Sequence, residues 1–215
     1  MLKKTAKPKA PSFRPSFKRK PRPKAKQLES HNPLYARPEQ ERVLFIDQST
    51  TAAGYAMATF IEGKTPAISC GCISPKKSAH IVDRVDEILK TIDTMIREFE
   101  ADAVCIEDTR FSGGRTHGKR STEEALAAIA FGILAVCHRA GVPFYRQNPI
   151  TIKATGAGYG RASKEDMKWA ASQLVGYEIK NDNTADAVLA AKSWNVHRES
   201  IVTPKVKVKK AKPLF

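Results

Sequence analysis

The chain has 215 residues, 41% of them hydrophobic, and a formal net charge of +15. That length suits one domain with tails, and the apolar content suffices for a packed core. No apolar run reaches the roughly 18 residues of a membrane span, and the basic N-terminal stretch lacks the apolar core of a secretory signal and is too rich in proline for an amphipathic transit helix, so a soluble cytoplasmic protein is expected.

Residues 1–28 hold eleven Lys and Arg and no acid, and residues 201–215 hold five Lys and no acid. Removing those sixteen cations leaves about −1 for residues 29–200, so the polycation is confined to the ends. Residues 1–40 read as a Pro/Lys-rich disordered tail, residues 41–200 as the folded domain and residues 201–215 as a second basic tail. Polycationic tails attract phosphate backbone without reading sequence, which points to nucleic acid.

Val43-Leu44-Phe45-Ile46 is a continuous apolar run and predicts a buried strand. Strands over residues 52–61 and 67–73 follow, separated by a turn at Gly63. Ser78 is a candidate cap for a long helix whose apolar face holds Ile81, Val85, Ile88, Leu89, Ile92, Ile96 and Phe99. Residues 103–106 predict another buried strand. Ser121-x-x-Glu124 reads as a capping box opening a helix that Gly141 and Pro143 stop. A fifth strand is expected over 142–145, a helix after Ser163-x-x-Asp166, and a last helix over about 184–197. Strands first, then strands alternating with helices, give an α/β mixed sheet covered by helices.

Of the four cysteines, Cys105 and Cys137 lie in apolar runs and read as core residues. Cys70 and Cys72 share a strand face, but no second ligand pair stands at zinc spacing. A reducing compartment fits.

The chemistry is concentrated in carboxylates. Asp47 ends the first strand and Glu107 ends the fourth. Strands of this kind, joined by a helical crossover, tend to lie parallel and adjacent. The two acids would then emerge side by side, where repulsion and desolvation favour a shared cation. Asp182 and Asp186, four residues apart, share a helix face. Three or four hard oxygen ligands suit Mg2+, with Mn2+ as the alternative, and two such ions can clamp a phosphodiester and activate water.

Asp47-Gln48-Ser49-Thr50-Thr51-Ala52-Ala53-Gly54 resembles the first motif of RuvC-type Holliday junction resolvases, phage-type members above all. Cys105-Ile106-Glu107 resembles the second motif, and Thr184-Ala185-Asp186-Ala187 the last. Between them, Asn148-Pro149 to Lys153, Thr155-Gly156 and Ala162-x-Lys164 resemble the segment bearing the family's basic residues. The resemblance covers roughly residues 43–197. It implies an RNase H-like mixed five-stranded sheet flanked by helices and a metal-dependent endonuclease that cuts Holliday junctions or other branched DNA as a homodimer. Asp47, Glu107 and Asp186 would bind metal, expected as two Mg2+ ions. The fourth ligand departs from the pattern: Asn183 stands three residues before Asp186, and Asp182 is the nearest acid. Lys153 and Lys164 would stabilise charge on the phosphate. Arg110, Phe111, Arg115, Lys119 and Arg120 form a basic loop with one aromatic, suited to an unpaired or kinked base. No membrane partner and no small-molecule cofactor are expected. The competing readings are an RNase H-like nuclease on RNA–DNA hybrids, a non-catalytic nucleic-acid binder and an actin-like phosphotransferase. The chain is short for the last, which needs two lobes. For the dimer, Ala125, Ala128, Gly132 and Ala135 offer a small-residue track on one helix, with packing against the protein's own elements as the alternative use.

Overall fold

Strand β1 (Gln40–Asp47) has apolar residues on both sides, as a central strand must. Val43, Leu44, Phe45 and Ile46 are all buried. The computed structural model describes residues 39–108 and 120–202. β1 pairs antiparallel with β2 (Ala53–Ile61), which pairs antiparallel with β3 (Ala67–Ile73). After helix α1 (Ile81–Glu98), β4 (Ala103–Glu107) returns parallel to β1 on its other side. Helix α2 (Arg120–Ala140) leads to β5 (Phe144–Gln147), parallel to β4. Three helices close the described chain: α3 (Pro149–Gly156), α4 (Lys164–Val175) and α5 (Asp182–Val202). The sheet order is β3-β2-β1-β4-β5. This is the mixed five-stranded sheet that the strand pattern implied.

Successive strand residues face opposite sides, and each side has its own core. Val43, Phe45 and Cys105 pack with Val188, Leu189 and Trp194 of α5. Leu44, Ile46, Val104 and Ile106 pack with Ile88, Ile92 and Ile96 of α1 and Ile129 and Ile133 of α2. Phe45 and Trp194 meet edge to face, with centroids 5.8 Å apart. The far end of α5 is tied to β1 by buried Glu41, which accepts hydrogen bonds from Trp194 Nε1 at 3.2 Å and Arg198 Nε at 2.9 Å. A carboxylate buried there is tolerated because it is paired and hydrogen-bonded.

Several boundaries differ from the sequence expectation. The cap of α1 is His80, whose ring accepts from the Val82 amide, while Ser78 lies in the preceding turn. The short helix α3 was not expected, although Asn148 caps it and Pro149 opens it, a recognised start signal. The last helix begins two residues earlier than expected and continues to Val202, and β5 is displaced to 144–147. The box at Ser163 is as expected: its hydroxyl accepts from the Asp166 amide, and the Asp166 carboxylate accepts from the Ser163 amide. Gly176 ends α4 at φ 81°, a left-handed conformation that glycine adopts without strain. The side chain of Ser121 lies outside the described residues, and the helix is already under way at that position.

Gly132 does not belong to a free small-residue track. A Cβ there would stand 2.5 Å from a Leu89 methyl, so this position lets α1 pack closely on α2.

Candidate active site at the end of strands β1 and β4

The parallel register pairs Ile46 with Ile106. Asp47 and Glu107 are the next residues on their strands, so both acids leave the sheet at the same edge. Sequence alone required this only if β1 and β4 were neighbours, and they are.

The third acid arrives on α5, whose first turn presses on the start of β2. A Cβ on Gly54 would lie 2.1 Å from the Asn183 carbonyl, so only glycine fits without displacing the helix. Asn183 Nδ2 donates to the Ala52 carbonyl, and Thr184 Oγ1 donates to the Gly71 carbonyl at 3.0 Å. These contacts pin the beginning of α5 and carry Asp186 to the strand ends.

The electrostatics show the three acids acting on one another. Burial raises the Asp47 carboxyl well above its ordinary range, and repulsion from Glu107 and Asp186 adds to it, with Lys164 opposing. Burial pushes Glu107 up to about 7, reinforced by Asp186 and Asp108 and opposed by Lys153. Burial likewise pushes Asp186 up to about 6, with Lys153 and Lys164 opposing and Asp182 adding. A half-buried group of like charges is held at a cost that a cation offsets.

Asp182 behaves otherwise. Its Oδ2 accepts from Lys164 Nζ at 2.8 Å and its Oδ1 pairs with Lys168 Nζ at 3.1 Å. These two ammonium groups hold its carboxyl below the ordinary range. Asp182, one of the two candidates for the fourth ligand beside Asn183, has both of its oxygens facing lysines. Spacing placed the two acids on one helix face, but the α4 lysines claimed the outer one. Lys168 was missed, although it stands one turn after Lys164 on α4, where such pairs share a face.

The donor set is hard oxygen, as Mg2+ or Mn2+ requires. Among the described residues, no group of three or more His, Cys, Asp or Glu side chains is placed to hold a metal ion. Mg2+ does not require such a group, because it is commonly held by one or two carboxylates and keeps positions for water and substrate phosphate. Asp47, Glu107 and Asp186 fit an open site of that kind. Cys70 and Cys72 do not make another: Cys70 Sγ lies 2.9 Å from the Tyr177 hydroxyl and Cys72 Sγ lies 3.4 Å from Ser74 Oγ.

The family model for crossover junction endodeoxyribonuclease RuvC matches residues 43–193. The chain belongs to the RuvC family. Crossover junction endodeoxyribonuclease RuvC of Clostridioides difficile is 27% identical over 152 residues, covering 69% of this chain and 86% of the relative. The structure titled T. thermophilus RuvC in complex with Holliday junction substrate superposes with a TM-score of 0.63 at 19% identity, over 75% of this chain and 98% of that one. The yeast mitochondrial Holliday junction resolvase Ydc2 gives 0.52 at 17% identity, over 72% and 77%. Both structural likenesses support the same RNase H-like fold. The RuvC match begins within β1 and ends within α5, so it takes in every strand and all three acids.

Of the remaining expected residues, Lys153 sits half-buried on α3 and Lys164 is the exposed first residue of α4. Both act electrostatically on the acid cluster. Arg110, Phe111, Arg115 and Lys119 lie outside the described residues, as does the side chain of Arg120. Asp108, next to Glu107, is buried and stands 3.8 Å from Arg146 Nη1.

Proposed function

We propose that this RuvC-family protein is a metal-dependent endonuclease that cuts Holliday junctions and related branched DNA. The carrying observation is the gathering of Asp47, Glu107 and Asp186, from three separate segments, at one end of a sheet with the RuvC fold. Two Mg2+ ions, or Mn2+, held by these acids would supply Lewis-acid activation of water and of the scissile phosphate. Asp47 and Glu107 are fixed by the paired strands, and Asp186 by the docking of α5. Asn183 is the better fourth ligand, because its Nδ2 is anchored on Ala52 while both Asp182 oxygens are engaged by lysines. Lys153 acts electrostatically on both Glu107 and Asp186, which supports a role for its ammonium in donating to a phosphate oxygen. The loop bearing Arg110, Phe111, Arg115, Lys119 and Arg120 would hold the strands near the junction centre, and the sixteen tail cations would add sequence-independent affinity. A role on DNA supports a DNA-associated protein, with the cytoplasm as the expected compartment.

A two-fold junction needs two nicks, and a two-fold dimer of single-site chains supplies them. The exposed stripe of Ala128, Phe131 and Ala135 on α2, with Val82 of α1 beside a groove of about 430 Å³, is the proposed dimer face. Phe131→Glu is expected to convert a dimer to a monomer in sedimentation without loss of helix content.

The functional test compares a four-way junction, a flap and an RNA–DNA hybrid under Mg2+. Symmetric junction nicking that a chelator abolishes is expected. Preferential hydrolysis of the hybrid would replace the proposal with an RNase H-like activity, and junction binding without cleavage in either metal would leave a binder.

A further inference from the structure

The β1–β4 ladder stops at Ile46 and Ile106, one residue short of the two acids. Past that point Asp47 stays paired with Gly54 and Glu107 with Gln147 but not with each other, and repulsion between the two acids acts to separate them. A side chain bridges this gap. Gln48, the residue after Asp47, sends its Nε2 back to the Glu107 carbonyl oxygen at 2.9 Å. Only the nitrogen end of an amide can face a carbonyl oxygen, so the partner fixes the orientation of the group. The bond therefore extends the inter-strand hydrogen bonding by one step, at the position where the acids emerge.

Gln48 is 7% exposed, and its Oε1 has no hydrogen-bond partner among the described residues. Burying an amide with an orphan oxygen is unfavourable. An apolar side chain of the same length would fill the space without that penalty. Stability alone does not explain a glutamine here, whereas holding two repelling carboxylates at a fixed separation does. On the next strand, Gln147 is the register partner of Glu107 and donates to the Ala190 carbonyl of α5 at 3.2 Å. Ala190 is one turn beyond Asp186, so the same type of group links the strand ends to the helix that carries the third acid.

We infer that Gln48 is a positioning residue that sets the separation of Asp47 and Glu107, and with it the affinity of the carboxylate site for a divalent cation. The inference rests on the metal-nuclease reading above. Groups that orient metal ligands typically change metal affinity or activity by about 10- to 100-fold when removed.

The experiment uses full-length protein with Gln48→Met, which keeps the length and removes the donor. Calorimetric titration with Mn2+, melting temperature, junction affinity and the Mg2+ dependence of junction cleavage are measured together. The expected result is Mn2+ affinity weakened about 10-fold, a correspondingly higher Mg2+ requirement, and unchanged junction affinity and melting temperature. Wild-type Mn2+ affinity and Mg2+ requirement would overturn the inference. So would a cleavage loss that tracks a drop in melting temperature. If Gln48→Met does not fold, Gln48→Asn carries the same expectation and the same refutation, since its amide falls one methylene short of Glu107. A wild-type protein that binds Mn2+ but cuts no junction would refute the nuclease reading, while the titration would still decide the role of Gln48.

Discussion

Asp182 and Asp186 stand one helical turn apart on α5, and the fold gives them opposite environments. Asp186 is half-buried at the strand ends that carry Asp47 and Glu107, and its carboxyl is pushed up to about 6. Asp182 is turned toward solvent between Lys164 and Lys168, and its carboxyl is held below the ordinary range. One acid is only partly compensated, by Lys153 and Lys164, and suits a cation supplied from outside. The other is already neutralised by the chain. The role of a carboxylate is thus decided by its depth and its neighbours, which residue spacing along a helix does not specify.

The largest expected consequence separates the two acids directly. Asp186→Asn should reduce metal-dependent junction cleavage by roughly three orders of magnitude, as happens when one member of a cooperating catalytic unit is lost. Asp47→Asn and Glu107→Gln should do the same. Asp182→Asn should cost no more than about 10-fold, since it removes only a partly exposed pairing. Single-turnover rates at saturating enzyme measure this. Equal losses at positions 182 and 186 would erase the distinction.

The lysines should follow the acids they serve. Lys153 faces Glu107 and Asp186, so Lys153→Met should lower the single-turnover rate by about 100-fold. Among the described residues Lys168 pairs with the carboxylate of Asp182, and Lys168→Met should stay within about threefold. The reverse order would place the phosphate on the α4 side of the site.

A smaller effect concerns stability. Glu107 and Asp186 have ordinary values of 4.5 and 3.8 and are raised to about 7 and about 6. A raised carboxyl contributes stability that is fully present below its unfolded value and is lost as pH rises through its folded value. The metal-free protein should therefore lose stability between about pH 4 and pH 7, and Mg2+ should restore more of it at pH 8 than at pH 5. Glu107→Gln should raise the metal-free melting temperature at pH 8 by about 2–4 °C, equivalent to roughly 1 kcal/mol for a chain of this size, and should bring no gain at pH 4. Asp182→Asn should bring no gain at either pH. Differential scanning calorimetry in chelator resolves these shifts.

Much of this was legible in the sequence. The runs 43–46 and 103–106 announce buried strands, and acids immediately after them mark one edge of the sheet. The order of the RuvC motifs supplied the third acid. The helix over 149–156 is not legible from periodicity because it is only eight residues long and its polar residues Thr151, Lys153 and Thr155 alternate with apolar ones; Asn148-Pro149 is the available signal. The orientation of Asp182 was not legible, because it depends on where α4 packs against α5. Nor was Gln48, since its bond spans 59 residues of chain and exists only once β1 and β4 are paired.

Diffraction from Mn2+-soaked crystals at the manganese absorption edge tests the central claim most directly. The account predicts an anomalous peak in contact with carboxylate oxygens of Asp47 and of Glu107 or Asp186, and none at Asp182. A peak held by Asp182, or an acid cluster left without metal under conditions that support cleavage, would contradict it.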